Sequence, residues 1–255
     1  MKPRLLDLFC GAGGAAMGYH RAGFEVVGVD IAPQPNYPFE FHHVDALDAL
    51  DGVIDGGWGF DGFAAIHASP PCQLFSAYQR ANKHQGEHLN LIPPTRHLLR
   101  ATGLPYVIEN VPGAPLENPA TTPMSLNVAP NAVRSTSLNE ASMVRFAIAA
   151  AGPNPSQTRL FETSFPLMTS RCACGGWMEA KYDRGSRDIR PNDRRTVAVG
   201  EWRIPLATQH QAMGIDWMTM KELSQAIPPA FTELIGHQLL VHLNHKEANH
   251  ASQVV

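Results

Sequence analysis

The run Arg4-Leu5-Leu6-Asp7-Leu8-Phe9-Cys10-Gly11-Ala12-Gly13-Gly14-Ala15-Ala16-Met17-Gly18-Tyr19 passes from a short apolar strand, through a glycine turn, into a small-residue helix. Gly11, Gly13 and Ala16 satisfy the G-x-G-x-x-G/A spacing, which lets backbone N–H groups and a helix start approach a ligand closely. Alone this is a weak signal. It gains support from Glu25-Val26-Val27-Gly28-Val29-Asp30, a second strand whose terminal carboxylate stands where a ribose hydroxyl pair would be held. A third strand candidate, residues 41–45, ends in Asp45, which could accept from an adenine amino group. Each acid in isolation reads equally as a solvated loop residue. Strands alternating with helices predict an α/β fold.

Downstream, Gly62-Phe63-Ala64-Ala65-Ile66-His67-Ala68 reads as a buried strand, followed by Ser69-Pro70-Pro71-Cys72-Gln73. Each proline fixes its own φ and biases the residue before it towards extended geometry, so Pro70-Pro71 is a stiff ramp that sets Cys72 at a defined exit. Ligands gather at the carboxyl ends of such strands, which makes Cys72 a candidate nucleophile. A lone cysteine in a tight turn is otherwise usually a small core residue. Residues 81–88 read as a lid or a plain surface loop. Residues 91–102 predict a helix with Pro93 and Pro94 in its first turn and Gly103 as its stop. Residues 105–111 form a further strand with Glu109 near its end, a candidate general acid or a water-facing carboxylate.

The remainder alternates elements and breaks. Residues 32–39 and 52–59 read as loops. Ser137-Leu138-Asn139-Glu140 has the capping-box pattern ahead of a helix over 141–151, and residues 157–161 enter another strand. Between 168 and 203, eight cations, among them Arg184, Arg187 and Arg190, stand among glycines and Trp177, Tyr182 and Trp202. This is the best candidate for a phosphate-contacting surface, with a solvated basic loop as the alternative. Cys172 and Cys174 would give zinc two ligands, and no second Cys pair or spaced His pair lies near, so no metal is expected. Thr219-Met220-Lys221-Glu222 is a second capping box, and residues 231–243 predict a last helix with Phe231, Leu234, Ile235, Leu239 and Leu240 at helical spacing. The polar end, 244–255, is expected to fray.

At 255 residues the chain can bury a full core as one domain, with room for a small subdomain. Nothing approaches the roughly 18 apolar residues of a membrane span, and the first residues lack a signal peptide's apolar core, so a cytoplasmic location is expected. Four cysteines without framework spacing argue for reduced thiols. A net charge of −3 counts mildly against nonspecific nucleic-acid coating while leaving room for a local basic face.

In order along the chain, these pieces resemble the DNA (cytosine-5) methyltransferases, in the compact form found in phages. Asp7-Leu8-Phe9-Cys10-Gly11-Ala12-Gly13-Gly14 resembles the family's cofactor turn, Ser69-Pro70-Pro71-Cys72-Gln73 its nucleophile motif, and Glu109-Asn110-Val111 its E-N-V motif. Gln157-Thr158-Arg159 is similar to a shortened Q-x-R-x-R strand, while Met213-Gly214-Ile215 and Ala226-Ile227-Pro228-Pro229-Ala230 resemble the last two motifs, the latter returning to the cofactor side. The resemblance implies a Rossmann-like S-adenosylmethionine-dependent methyltransferase fold with a small, loop-rich recognition region. It implies covalent catalysis, in which the Cys72 thiolate adds to cytosine C6 and C5 then takes a methyl group. Glu109 would bind the amino group and share a proton with N3, Arg159 would favour the thiolate, and Gln157 would join them. Asp7, Phe9, Gly11, Ala12, Gly13, Gly14, Asp30, Ile31, Asp45, Ala46 and Pro70 are the residues expected to hold S-adenosylmethionine. The partner would be double-stranded DNA with a flipped cytosine, met by a monomer in the cytoplasm of a bacterium or phage-infected host.

The resemblance also implies a division into a catalytic and cofactor-binding part (1–165), a reduced recognition segment (166–205), helices completing the catalytic part (206–243) and a flexible tail (244–255). Only about 50 residues separate Arg159 from Gln211, where family members carry a sizeable recognition domain, so specificity is expected to be short, loose or supplied by a partner. Rival readings are a catalytically silent nucleic-acid-binding or regulatory protein, a C5 modifier of RNA or free nucleotide, and a nicotinamide oxidoreductase. The last leaves Cys72 and Glu109 without roles.

Overall fold

The computed structural model describes residues 2–57, 61–72, 74–75, 89–117, 159–168, 199–200 and 202–253. The chain divides into two units, one of Met1–Thr122, Arg159–Ser170 and Ala226–Val255, the other of Pro123–Thr158 and Arg171–Gln225. The helix expected at 141–151, the segment 81–88, Gln157, Cys172, Cys174 and the arginines between 171 and 195 lie outside the described residues.

In the first unit, six strands form one sheet: β1 (Arg4–Leu8), β2 (Glu25–Asp30), β3 (Glu40–His43), β4 (Phe63–Ala68), β5 (Tyr106–Asn110) and β6 (Leu160–Thr163). Their order is β3-β2-β1-β4-β5-β6, with every pairing parallel except the antiparallel β5–β6. This is the predicted α/β fold. β1, β2, β4 and β5 carry apolar residues on both faces because helices cover both, which is why their sequences run apolar rather than alternating.

One face buries Leu6, Leu8, Val27, Val29, Ile66, Ala68 and Ile108 against Ala46, Ala49 and Leu50 of α2 (Ala46–Asp55) and Leu99 of α3 (Ile92–Ala101). Helix α2 corrects the loop expected at 52–59, since it runs through Gly52 to Asp55 and stops at Gly56, φ +67°. The Asp45 carboxylate caps it by accepting from Leu47 N–H at 2.7 Å, and Ala46, Ala49, Leu50 and Val53 give it an apolar stripe that a single glycine interrupts without breaking. On the other face lies α1 (Gly14–Ala22), which packs against α6 (Pro229–Gln253). The approach is so close that a β-carbon on Gly18 would run into Thr232 Oγ1 and Pro229 O, while the Thr232 hydroxyl donates to Ala15 O at 2.8 Å.

Helix α6 also corrects an expectation: it continues to Gln253 rather than ending at Leu243. The polar run beyond 243 holds Lys246, Glu247, Ala248 and Ala251 and has neither glycine nor proline to stop it.

The second unit is described over α4 (Leu206–Met213) and α5 (Met220–Leu223). Gly214, φ +66°, ends α4, and the predicted capping box at Thr219 and Glu222 forms. Buried Gln209 accepts from Gly200 N–H at 2.6 Å and donates to Ile204 O at 2.9 Å.

Candidate active site

Strands β1, β2, β4 and β5 end at one edge of the sheet, and the strand order reverses between β1 and β4. The crevice at such a reversal is where open α/β sheets bind ligands. Two loops meet there, one leaving β1 and one leaving β4.

The first is the glycine turn. Phe9, Gly11 and Gly13 take φ of +58°, +49° and +88°. For Phe9 this left-handed backbone is a strained choice, of the kind found where a turn is held for a ligand. Cys10 N–H donates to Val29 O at 3.1 Å and Gly11 N–H to Asp30 Oδ2 at 3.0 Å, fixing the turn to the end of β2. Asp30 Oδ1 accepts from Ala32 N–H at 2.9 Å, so both carboxylate oxygens brace the backbone. Ile31 beside it is 68% exposed, an apolar surface at the crevice edge. Helix α1 starts at Gly14 behind an N-cap glycine, Gly13, with no capping side chain and no acid of its own in its first turn, so its positive end is available to an anion beside the buried Asp7 carboxyl. Ile227 O packs against Gly14, so the segment ahead of α6 returns to this turn, as expected.

Other residues expected at the cofactor have different surroundings. Asp7 is 1% exposed beneath the turn, its carboxyl group turned towards the Ala16 N–H in the first turn of α1. Burial and then the charge of Asp30 push its pKa well above the carboxylate range. Asp45 caps α2, and the Ala46 side chain lies in the core. Ala12, Gly14 and Pro70 are buried at the two loops.

The second loop carries the nucleophile motif. Ser69 N–H donates to Leu8 O at 3.2 Å, Asn110 Nδ2 donates to Pro70 O at 2.8 Å, and Phe75 N–H donates to Cys72 O at 2.9 Å. Cys72 is half-buried at the end of this braced ramp. Next to it, β5 contributes Glu109, 5% exposed, and the start of β6 contributes Arg159, whose Nε lies 3.3 Å from Glu109 Oε1. Register places Arg159 there: Phe161 pairs with Glu109, so Glu162 turns to the opposite face. On that face Glu162 accepts a two-point bond from buried Arg96, at 2.7 Å to each oxygen, and also accepts from Glu117 N–H at 2.7 Å. This pair pins the antiparallel strand that delivers Arg159.

Burial raises the Cys72 thiol above its ordinary pKa; Arg159 pulls it down and Glu109 pushes it up. Arg159 thus lies close enough to act on the thiol, and burial outweighs its effect. Glu109 is likewise raised by burial, with Arg159 and then a hydrogen bond from Ser69 opposing. The arrangement offers a nucleophilic sulfur, a buried carboxyl that can hold a proton, and a cation shared between them.

Residues 3–122 match the family model for C-5 cytosine-specific DNA methylase. The match covers a little under half of the chain. The matched segment contains β1 to β5, hence both loops, Cys72 and Glu109, and it ends before Arg159 and α6. The chain is 27% identical to the type II methyltransferase M.AgeI of Thalassovita gelatinovora, over a stretch that covers 43% of this chain and 28% of that protein. It thus spans under a third of that curated relative's length. A prophage-encoded E. coli protein, described as a DNA modification methyltransferase, superposes with a TM-score of 0.55 at 14% identity, covering 96% of this chain and 100% of that one. At this identity the likeness is one of fold.

Four polar residues of the matched segment escaped the sequence reading: Tyr19, His67, Arg96 and Asn110, the last named only as part of a motif. His67 left a trace, as the one polar residue in the apolar strand Phe63–Ala68.

Proposed function

We propose that this chain transfers a methyl group from S-adenosylmethionine to C5 of cytosine in duplex DNA, through a covalent bond between Cys72 Sγ and C6. The observation that carries the reading is the meeting of Cys72, Glu109 and Arg159 at one sheet edge, where Glu109 Oε1 and Arg159 Nε are buried without hydrogen-bond partners among the described residues. Buried polar atoms left open in this way fit a polar ligand that supplies the missing bonds.

The glycine turn fits the cofactor. The uncapped positive end of α1 suits its carboxylate, and exposed Ile31 suits its adenine. When bound, S-adenosylmethionine supplies an electrophilic methyl group. Cys72, deprotonated, attacks C6 and forms an S–C6 bond, and the C5–C6 π electrons are released towards C5 and N3. Glu109 accepts from the cytosine amino group and holds the proton shared with N3. After C5 is substituted, loss of its proton and cleavage of the S–C6 bond restore the ring and the thiolate. Asn110 keeps Cys72 at its exit through the Pro70 carbonyl. Flipping the base costs a few kcal/mol, which contacts to the DNA must offset. The expected sites are Cys72, Glu109, Arg159 and Gln157 for chemistry, and Phe9, Gly11, Ala12, Gly13, Gly14, Asp30, Ile31 and Pro70 around the cofactor.

Incubation of the chain and duplex DNA with S-adenosylmethionine labelled in its methyl group tests this. The reading predicts label at cytosine C5 that is lost in Cys72→Ser; label that persists in Cys72→Ser overturns it.

A further inference from the structure

His67 has no solvent exposure, and both its ring nitrogens are engaged. Nδ1 lies 2.9 Å from the Tyr19 hydroxyl of α1, and Nε2 lies 2.8 Å from Ser69 Oγ. The Ser69 hydroxyl in turn bonds to Glu109. A chain of hydrogen bonds thus runs from the interior side of α1, through β4, to the carboxylate beside Cys72.

The direction of the chain follows from donor capacity. An ionised carboxylate only accepts, so Ser69 spends its single proton on Glu109 and offers Nε2 a lone pair. His67 must then carry its proton on Nε2, which leaves Nδ1 bare to accept from the Tyr19 hydroxyl. Burial holds the ring neutral, with its pKa pushed down to about 3, so a single tautomer serves. Reversing the chain would turn the Tyr19 proton away from His67 inside a buried site, and leaving a buried donor unpaired costs about 1–3 kcal/mol. The other titratable groups around Glu109 are Arg159 ahead of β6, Cys72 beyond β4, and Asp7 on β1, which also faces Tyr19.

We propose that Tyr19, His67 and Ser69 form a one-way positioning relay that holds the Glu109 carboxylate, beside Arg159, in place for the amino and N3 edge of the target base. This rests on the methyl-transfer reading for the identity of the base. The relay itself is a property of the chain alone.

The test separates the two. In the full chain with ¹⁵N-labelled histidine rings, the signal that disappears in His67→Gln is His67, and it should show a neutral ring protonated on Nε2 at pH 7. Carboxyl ¹³C titration should give a higher pKa for Glu109 in Ser69→Ala than in the unsubstituted chain. A His67 ring protonated on Nδ1, or an unmoved Glu109 titration, overturns the relay whether or not DNA is methylated. In the methyl-transfer assay, Ser69→Ala and His67→Leu should lower kcat by about tenfold or more, with affinity for S-adenosylmethionine unchanged. His67→Gln, which can still donate to Ser69, should recover part of that loss. Rates in Ser69→Ala equal to those of the unsubstituted chain contradict the relay, whereas no transfer by the unsubstituted chain overturns the methyl-transfer reading and leaves the NMR test standing.

Discussion

Arg159 Nε stands 3.3 Å from Glu109 Oε1, yet among the described residues neither atom makes a hydrogen bond, because the two groups approach without alignment. Their attraction is electrostatic, and each keeps a bonding position open. Arg159 lowers the pKa of both Cys72 and Glu109 against the effect of burial. Arg159→Gln should therefore raise both and slow alkylation of Cys72 by iodoacetamide at pH 8, read by mass spectrometry. Arg159→Lys, which keeps the charge and loses the planar fork, should fall between. Equal alkylation rates in all three chains would remove Arg159 from the site.

Two buried groups give stability opposite dependences on pH. His67 is held near pKa 3 in the folded chain against about 6.5 unfolded, so the unfolded chain binds more protons between those values. Its contribution is present above about pH 6.5 and lost as pH falls towards 3, with a slope of about 1.4 kcal/mol per pH unit. Asp7 is raised, so its contribution is present below about pH 4 and lost as pH rises through its folded value. Urea unfolding across pH should show a shallower acid limb in His67→Gln and a shallower alkaline decline in Asp7→Asn.

The Arg96–Glu162 pair sets the strand that delivers Arg159. Arg96→Met leaves Glu162 buried without its cation and should cost about 3–5 kcal/mol of stability. Arg96→Met combined with Glu162→Leu should recover part of that, since both charges are gone. A single variant as stable as the unsubstituted chain would show that β6 is held some other way.

Gly18→Ala places a methyl group against Thr232 Oγ1 and Pro229 O, where the α6 backbone cannot yield cheaply. It should cost about 1–3 kcal/mol and lower Tm by about 2–4 °C for each. An unchanged melting temperature in calorimetry would mean that α1 and α6 can part without loss.

The sheet was legible because its signals are local. An apolar run, a glycine turn and a terminal acid specify β1, α1 and β2 one after another, and Pro70-Pro71 marks the exit of β4 as plainly. Helix α2 was missed because Gly52 looks like a stop until the stripe of Ala46, Ala49, Leu50 and Val53 is seen buried against the sheet. Cys72, Glu109 and Arg159 were singled out by motif order. Their supports, Asn110 on Pro70, Arg96 on Glu162 and His67 between Tyr19 and Ser69, join residues up to 66 positions apart, and no local pattern encodes them. Asp7 shows the reverse case: its position in the motif suggests a ligand contact, while its carboxylate is inside.

The covalent step is tested most directly with duplex DNA containing 5-fluorocytosine, whose C5 fluorine cannot be lost as a proton is. In the presence of S-adenosylmethionine, the chain should form a denaturation-resistant adduct with this DNA, with the bond mapped to Cys72 and no adduct in Cys72→Ser. An adduct mapped to another residue, or methyl transfer to ordinary cytosine that proceeds without any adduct on the fluorinated base, would contradict the account.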